Sequence, residues 1–204
     1  MGVQITKSIA SLSGKLKHAD LSATMRAVSK TLVSNAVKKI NAGVSPENAP
    51  LTQAVKGGDK TLRDNGTLMA SIAPQHGKNW AAAQTNKKQA KLLQEGGTIT
   101  GKGKGLWIPA GAQTRALMRK YNAQTPATLI TAMKGAGYRF WRQGNAFFTS
   151  KKGAKKTTEP IMLFVIKQSV KIPARPFLYI SDDEGVKITK TVKSAIHDAL
   201  KEGQ

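Results

Sequence analysis

The sequence has two apolar stripes at helical spacing, one near each end of the chain. They restrict the folds that this sequence can adopt. Apolar residues that recur every three or four positions cover one face of an α-helix. We therefore predict two long amphipathic helices whose apolar faces pack into a core. The first stripe consists of Leu21, Met25, Val28, Leu32, Ala36 and Ile40, and the second of Ile188, Val192, Ala195, Ile196 and Ala199.

Local signals mark the ends of these two helices. Asp20 precedes the first stripe as an N-cap and Gly43 follows it as a C′ residue, so the first helix is predicted over 20–42. Ser181 and Glu184 have the spacing of a capping box, which predicts that the last helix opens at Ser181.

The residues between the helices favour a small sheet. Apolar residues fill 161–166 without alternation, which indicates a strand in the interior of a sheet. Aromatic runs at 138–141 and 146–149 flank Gly144-Asn145, a pattern typical of a β-hairpin. A short strand is predicted at 106–109.

Other segments carry helix and loop signals. Residues 112–121 are predicted to be helical, as are 126–134, where Thr125 is the N-cap and Pro126 the first helical residue. Proline and glycine residues predict a loop over 43–66, and the absence of helix breakers predicts helix in part of 80–95.

These elements together predict one α+β domain spanning 1–204. We expect a small, mainly antiparallel sheet packed with the long N-terminal and C-terminal amphipathic helices. The segment 101–157 is predicted to be a basic insertion that elaborates the sheet.

Charge is distributed unevenly along the chain, whose net charge is +22. Residues 65–158 carry 16 basic side chains and a single acidic one, Glu95, whereas 159–204 carry 7 basic and 6 acidic side chains. Such a basic field favours an anionic partner, which is a nucleic acid, an acidic protein surface or an anionic membrane. The candidate contact residues lie in the two lysine-rich loops: Lys102, Lys104, Lys151, Lys152, Lys155 and Lys156.

Aromatic residues near those loops allow two interpretations. The side chains could stack on nucleobases, or they could form the core of the hairpin, which we expect to be the better interpretation. They are Tyr138, Phe140, Trp141, Phe147 and Phe148.

Composition excludes several classes of protein and of site. The chain has no cysteine, so disulfides, thiolate metal sites and cysteine nucleophiles are excluded. No run of apolar residues approaches the length of a membrane helix, and the N-terminus lacks the pattern of a signal peptide. We expect no membrane partner.

Residues suited to catalysis are sparse. The three histidines, His18, His76 and His197, have no metal-binding spacing. The acidic cluster Asp182-Asp183-Glu184 is explained by helix capping, although it leaves a metal-dependent nuclease as a third hypothesis. We therefore predict no enzyme activity, no catalytic residue, no metal and no cofactor.

Three segments of the chain resemble the phage virion-morphogenesis family, which includes tail completion proteins of Mu-like phages. The first segment is Leu62-Arg63-Asp64-Asn65-Gly66-Thr67-Leu68-Met69-Ala70-Ser71-Ile72. The second is Gln94-Glu95-Gly96-Gly97-Thr98-Ile99, and the third is Ile172-Pro173-Ala174-Arg175-Pro176-Phe177-Leu178, which leads into Ser181. The resemblance covers about 45–100 and 160–200.

The resemblance implies a structural virion protein that acts in tail completion or head–tail joining as a homo-oligomeric ring, at the neck or the tail end. Tail terminator and neck connector are the alternative positions, and a sequence-independent nucleic-acid-binding module is the alternative class. Neighbouring neck and tail proteins would be the partners, with non-specific contact to packaged DNA. The location would be the virion, after assembly in the host cytoplasm.

The third segment has a physical interpretation of its own. Pro173 and Pro176 fix φ and lack N–H groups, so the segment is predicted to be a stiff, extended strand-to-helix connector. Arg175 on this support could bind a carboxylate within or between subunits. The oligomer-interface candidates are Arg175, Phe177, Asp182 and Asp183.

Overall fold

A computed structural model describes residues 3–8, 20–56, 58–103, 105–155 and 158–202. These residues form an α+β structure with small antiparallel sheets, and its elements in chain order are as follows. They are β1 (Val3–Ser8), α1 (Ser22–Ala42), α2 (Pro50–Lys56), α3 (Thr67–Ala70), β2 (Ile72–His76), β3 (Trp80–Thr85), α4 (Ala90–Glu95), β4 (Gly97–Thr100), β5 (Leu106–Pro109), α5 (Ala112–Lys120), α6 (Pro126–Gly135), β6 (Tyr138–Gln143), β7 (Ala146–Lys151), β8 (Ile161–Lys167), β9 (Ser169–Ile172) and α7 (Asp182–Glu202).

The chain divides into two compact units. The first unit comprises Met1–Pro46, Lys60–Gly97 and Pro173–Gln204, and the second comprises Glu47–Asp59 and Thr98–Ile172. The predicted basic insertion at 101–157 falls inside the second unit.

The first unit is built on a three-stranded antiparallel sheet with the strand order β1-β3-β2. Three consecutive alanines of the central strand β3, Ala81 to Ala83, are buried. Small side chains on that strand allow α1 to pack closely on the sheet. The hydrophobic core lies between the sheet, α1 and α7.

The stripe predicted for α1 is confirmed, since all six of its apolar residues are buried in this core. The helix begins at Ser22 and not at Asp20, so Leu21 is its N-cap. The Asp20 carboxylate still accepts a hydrogen bond from the backbone N–H of Ser22. Gly43 ends the helix with a φ of 94°, which a residue with a side chain rarely adopts.

The predicted capping box of α7 is present. Glu184 Oε2 accepts a hydrogen bond from Ser181 N at 2.9 Å, and Ser181 Oγ accepts one from Glu184 N at 3.5 Å. Ile188 and Val192 are buried, while Ala195 and Ile196 pack against the core at its edge.

The second unit is built on a four-stranded antiparallel sheet with the order β5-β8-β7-β6. Strand β8 is an interior strand and β6–β7 is a hairpin, as predicted. Helices α5 and α6 contribute to a core that centres on Leu129, Met133, Leu163 and Phe164. Thr125 caps α6 by accepting a hydrogen bond from Thr128 N at 3.2 Å.

Two predictions of local structure need correction, and one is confirmed in part of its range. The segment 43–66 is not all loop, because Pro50 opens α2 within it. The helix predicted in part of 80–95 is confirmed as α4, whereas 80–85 form strand β3. In place of one sheet between the long helices, the described residues form three, the third being the pair β4-β9.

Candidate functional site

The connector that precedes α7 is held by the side chain of Gln94 on α4. Gln94 Oε1 accepts hydrogen bonds from Phe177 N and Leu178 N, both at 3.0 Å. Gln94 Nε2 donates to the carbonyl oxygen of Leu178, also at 3.0 Å. One amide side chain therefore binds two consecutive N–H groups and a carbonyl oxygen of the connector.

The prolines of the connector explain why such a partner is needed. Pro173 and Pro176 offer no N–H, so the connector cannot complete a regular ladder. Three of its N–H groups donate to α4, because Arg175 N also donates to the carbonyl oxygen of Leu93 at 2.8 Å. The connector is thus fixed to α4 through its backbone.

The same contacts bring all three family-like segments together. Leu68 and Ile72 of the first segment are buried in one core with Phe177 and Leu178 of the third. Gln94 comes from the second segment. Phe177 is fully buried, so the ring fills core volume.

The first segment forms the turn that leads into α3 and β2. Gly66 has a φ of 78°, and the side chain of Asn65 accepts hydrogen bonds from Thr67 N at 3.3 Å and Thr67 Oγ1 at 2.9 Å. Ser71 Oγ donates to the carbonyl oxygen of Leu68 at 2.7 Å. These polar residues therefore act on the local backbone.

Arg175 lies inside the first unit, with only 7% of its surface exposed. Its Nε donates to the carbonyl oxygen of Pro46 at 2.6 Å. Burial lowers the pKa of the guanidinium from its ordinary value, because the charged form loses hydration. The arginine side chain therefore fixes the chain around Pro46 to the connector.

Lys39 ties the last turn of α1 to the start of α7. Its Nζ lies 2.6 Å from Glu184 Oε2 and donates to the carbonyl oxygen of Tyr179 at 2.8 Å. It also lies 4.1 Å from the centre of the Tyr179 ring. Burial raises the pKa of Glu184, but the hydrogen bonds from Lys39 and Ser181, with the charge of Lys39, hold that pKa below its ordinary value.

The interface candidates divide into buried and exposed residues. Arg175 and Phe177 are buried in the first unit, with 7% and 0% of their surface exposed. Asp182 and Asp183 are exposed on the first turn of α7. Sequence reasoning did not find the contacts that Gln94 and Lys39 make, because their partners lie more than 80 residues away along the chain.

The lysine candidates that the structure describes are exposed. Lys102 follows β4, Lys151 ends β7, and Lys152 and Lys155 lie in the turn after it. Lys104 and Lys156 lie outside the described residues. The exposed positions suit contact with an acidic partner.

The hairpin aromatic residues point to two opposite faces of the second sheet. Phe140 and Phe147 stack at 5.9 Å and pack against the core with Tyr138. Trp141 and Phe148 stack at 5.9 Å on the other face, since each neighbours a core-facing residue in its strand. Core packing is therefore confirmed for the first group only.

The outward group continues across the sheet. Phe148 is opposite Met162, which is 41% exposed, and the Arg139 guanidinium lies 5.9 Å from the centre of the Trp141 ring. Arg139 is held there by its Nε, which donates to Ser150 Oγ at 2.7 Å. We call Arg139, Trp141, Phe148 and Met162 the outer sheet patch.

A basic cleft of about 490 Å³ lies on the hairpin side of α6. Lys134 and Lys152 line it together with Tyr138, Phe140 and Phe147. The cleft combines positive charge with aromatic walls, so an anionic group is the ligand that its chemistry favours.

Among the described residues, no group of three or more histidine, aspartate or glutamate side chains could hold a metal ion. His76 Nε2 accepts a hydrogen bond from Arg26 Nε at 3.4 Å, and Glu184 is engaged by Lys39. None of the helices in the described part of the chain is sufficiently long and apolar to span a membrane.

Comparison with protein families identifies the class to which this chain belongs. The profile of the phage virion morphogenesis family matches residues 2–127, more than half of the 204 residues. The chain is a member of that family, so it is a phage protein with a role in virion structure and assembly. Searches of curated proteins and of solved structures gave no match.

The extent of the match differs from the resemblance seen in the sequence. It includes the first two family-like segments and continues to residue 127, inside the segment 101–157 that the resemblance left unmatched. The stretch 172–178 lies outside the match. It is connected to the matched part through Gln94 and Leu93.

Proposed function

We propose that this chain is a non-enzymatic structural protein of a tailed-phage virion, which acts in tail completion or head–tail joining as a homo-oligomeric ring. Membership of the phage virion morphogenesis family is the observation that carries the proposal. The ring would lie at the neck or at the tail end, in contact with neighbouring neck and tail proteins.

The chemistry of the first unit supports a structural role. In an enzyme, Gln94, Arg175 and Lys39 would be candidate site residues. Here the side chain of each one makes a hydrogen bond with the protein's own backbone. Such contacts stabilise a scaffold, because burying polar groups is favourable only when they are hydrogen-bonded.

The second unit supplies a basic surface for partners in this proposal. Its segment 98–158 contains no acidic residue, and its described lysine candidates are exposed. In a ring, these lysines would face packaged DNA or an acidic neighbouring ring.

The proposal is tested with a phage that carries a stop codon in this gene. We expect DNA-filled heads and tails that fail to join, or tails of abnormal length if the protein acts as a terminator. Adding the purified protein to the lysate should restore joined particles. In parallel, electron microscopy of labelled virions should locate the protein at the neck or tail end, and absence from the mature particle would contradict the structural role.

A sequence-independent nucleic-acid-binding module is the second candidate function. The exposed lysines favour it, because lysine contacts to phosphate need no particular base. We expect binding to duplex DNA that weakens steeply with salt. The triple change Lys151→Ser, Lys152→Ser and Lys155→Ser should flatten that salt dependence.

A matched control has the same change of charge in the first unit. Replacing Lys187, Lys190 and Lys193 with serine also removes three exposed cations. If both triple variants weaken DNA binding equally, net charge alone explains it and the second unit has no particular DNA surface. No binding by the unaltered protein at low salt would refute the module.

A further inference from the structure

The outer sheet patch combines the residue types that carry most of the energy in protein interfaces. Tryptophan, arginine, phenylalanine and methionine are enriched at such surfaces. Here they form a row across three strands, with Arg139 beside Trp141, Trp141 stacked on Phe148, and Phe148 opposite Met162. Helices α5 and α6 contribute to the core on the other face of this sheet.

The same row is poorly suited to nucleobases. A base stacks on an aromatic ring face that is free to receive it. The Phe148 ring stacks on Trp141 with the ring centres 5.9 Å apart, and the Arg139 guanidinium lies 5.9 Å from the centre of the Trp141 ring. A protein partner can instead pack against the ring edges and the methionine side chain that this surface exposes.

Charge restricts which protein can dock there. Arg139 stands at one end of the patch. Segment 98–158, which includes Arg139, has no acidic residue, and the first one after it is Glu159. Two copies that met patch to patch would bring like charges together, which disfavours a symmetric pairing of this face with itself. A partner surface with carboxylates next to an apolar side chain would complement this patch.

The chain itself presents such a surface at the start of α7. Val186 is 70% exposed and lies beside an open groove of about 1040 Å³, which Asp182 and Thr189 also line. Asp183 is exposed on the same first turn. Lys190 and Lys193 line the groove further along, so its acidic part is confined to the first turns of the helix. We call Asp182, Asp183 and Val186 the helix patch.

We propose that the outer sheet patch of one copy docks on the helix patch of a second copy. Asp182 and Asp183 would meet Arg139, and Val186 would pack against Met162 and the ring edges of Phe148. The contact joins two different surfaces, so each copy keeps one patch of each kind for the next copy. Such head-to-tail contacts generate a ring when the rotation closes. This inference rests on the proposed function, for which it names the contact surfaces.

The test uses two full-length variants at exposed positions. Met162→Glu disables the outer sheet patch, and Val186→Lys disables the helix patch. Molar mass is measured by light scattering across a concentration series, with circular dichroism and thermal melts to verify folding. We expect each variant alone to self-associate about tenfold or more weakly than the unaltered protein.

Mixing the two variants gives the decisive readout. The first variant retains the helix patch and the second retains the outer sheet patch, so the mixture should form one-to-one pairs and nothing larger. A mixture that stays monomeric would overturn the proposal. A charge-reversal experiment tests the contact independently. Arg139→Glu and Asp182→Lys should each weaken self-association. The two substitutions together in one chain should restore it.

The remaining outcomes separate this contact from the proposed function. Oligomers that both variants leave unchanged would overturn the contact and leave the ring intact. An unaltered protein that stays monomeric at its highest soluble concentration would overturn both. If Met162→Glu loses only binding to a single-stranded oligonucleotide, the outer sheet patch belongs to nucleic acid and the contact between copies is refuted.

Discussion

The two units of this chain use their distinctive residues in opposite ways. In the first unit, Gln94, Arg175 and Lys39 are turned inward and hydrogen-bonded to backbone carbonyls or amides. In the second unit, Arg139, Met162 and the described lysine candidates are exposed. The difference teaches that the family-like segments 62–72, 94–99 and 172–178 identify a scaffold, while the surface that meets partners has to be sought elsewhere.

Among the substitutions that test this contrast, Phe177→Ala should change the free energy of unfolding most. The ring is fully buried, so its removal leaves a cavity and should lower the free energy of unfolding by about 3–5 kcal/mol. Tyr179→Ala, at a neighbouring position that is 47% exposed, is the control and should cost far less. Replacing Trp107 and Trp141 with phenylalanine leaves Trp80, whose fluorescence in denaturant then reports on the first unit. If Phe177→Ala and Tyr179→Ala lowered the free energy of unfolding equally, the inward role assigned to Phe177 would be wrong.

Gln94→Leu should have the second largest effect on the free energy of unfolding. The change leaves Phe177 N, Leu178 N and the Leu178 carbonyl oxygen without their partner, which should cost about 2–3 kcal/mol. Gln94→Glu keeps an acceptor for the two N–H groups and loses the donor to the carbonyl oxygen. Its cost should be smaller, and a melt in which the leucine variant is the more stable would contradict this role.

The Lys39–Glu184 pair predicts a dependence of stability on pH. The folded-state pKa of Glu184 lies below the ordinary value of 4.5, so the stabilisation is present above about pH 4.5 and is lost as the pH falls toward the depressed pKa. Lys39→Met should therefore lower stability by about 1–2 kcal/mol near neutral pH and by less in acid. A difference between the variant and the unaltered protein that persists unchanged into acid would exclude this linkage.

The smallest effect is expected in the second unit. Replacing Lys151, Lys152 and Lys155 with serine should change the free energy of unfolding by no more than about 0.5 kcal/mol, because the side chains are exposed. Relief of repulsion in so basic a segment could make the change stabilising. A loss comparable to that of Gln94→Leu would show that these lysines support the fold.

Local rules predicted those elements whose signals lie within a few residues. The stripe of α1, the hairpin at Gly144-Asn145, the capping box at Ser181 and the cap at Thr125 were all found as predicted. Each depends on spacing or on one side chain that satisfies nearby backbone groups, so the sequence alone carries the information.

Elements that depend on distant partners could not be predicted in this way. The alanines of β3 favour helix in isolation, but pairing with β1 and β2 holds them in a buried strand. Pro50 was interpreted as a breaker and instead opens α2, where its missing N–H costs nothing. The role of Gln94 depends on residues that lie 83 and 84 positions away.

That separation also sets the order in which the chain can fold as it leaves the ribosome. Phe177, Leu178, Ile188 and Val192 belong to the core of the first unit but are synthesised after the whole of segment 98–172. Domains fold as units once their residues are available. The second unit can therefore form before the core residues that pack against α1 have all been synthesised. Premature termination before residue 173 would leave an apolar surface exposed on the nascent chain, and such products would be targets for chaperones and proteases.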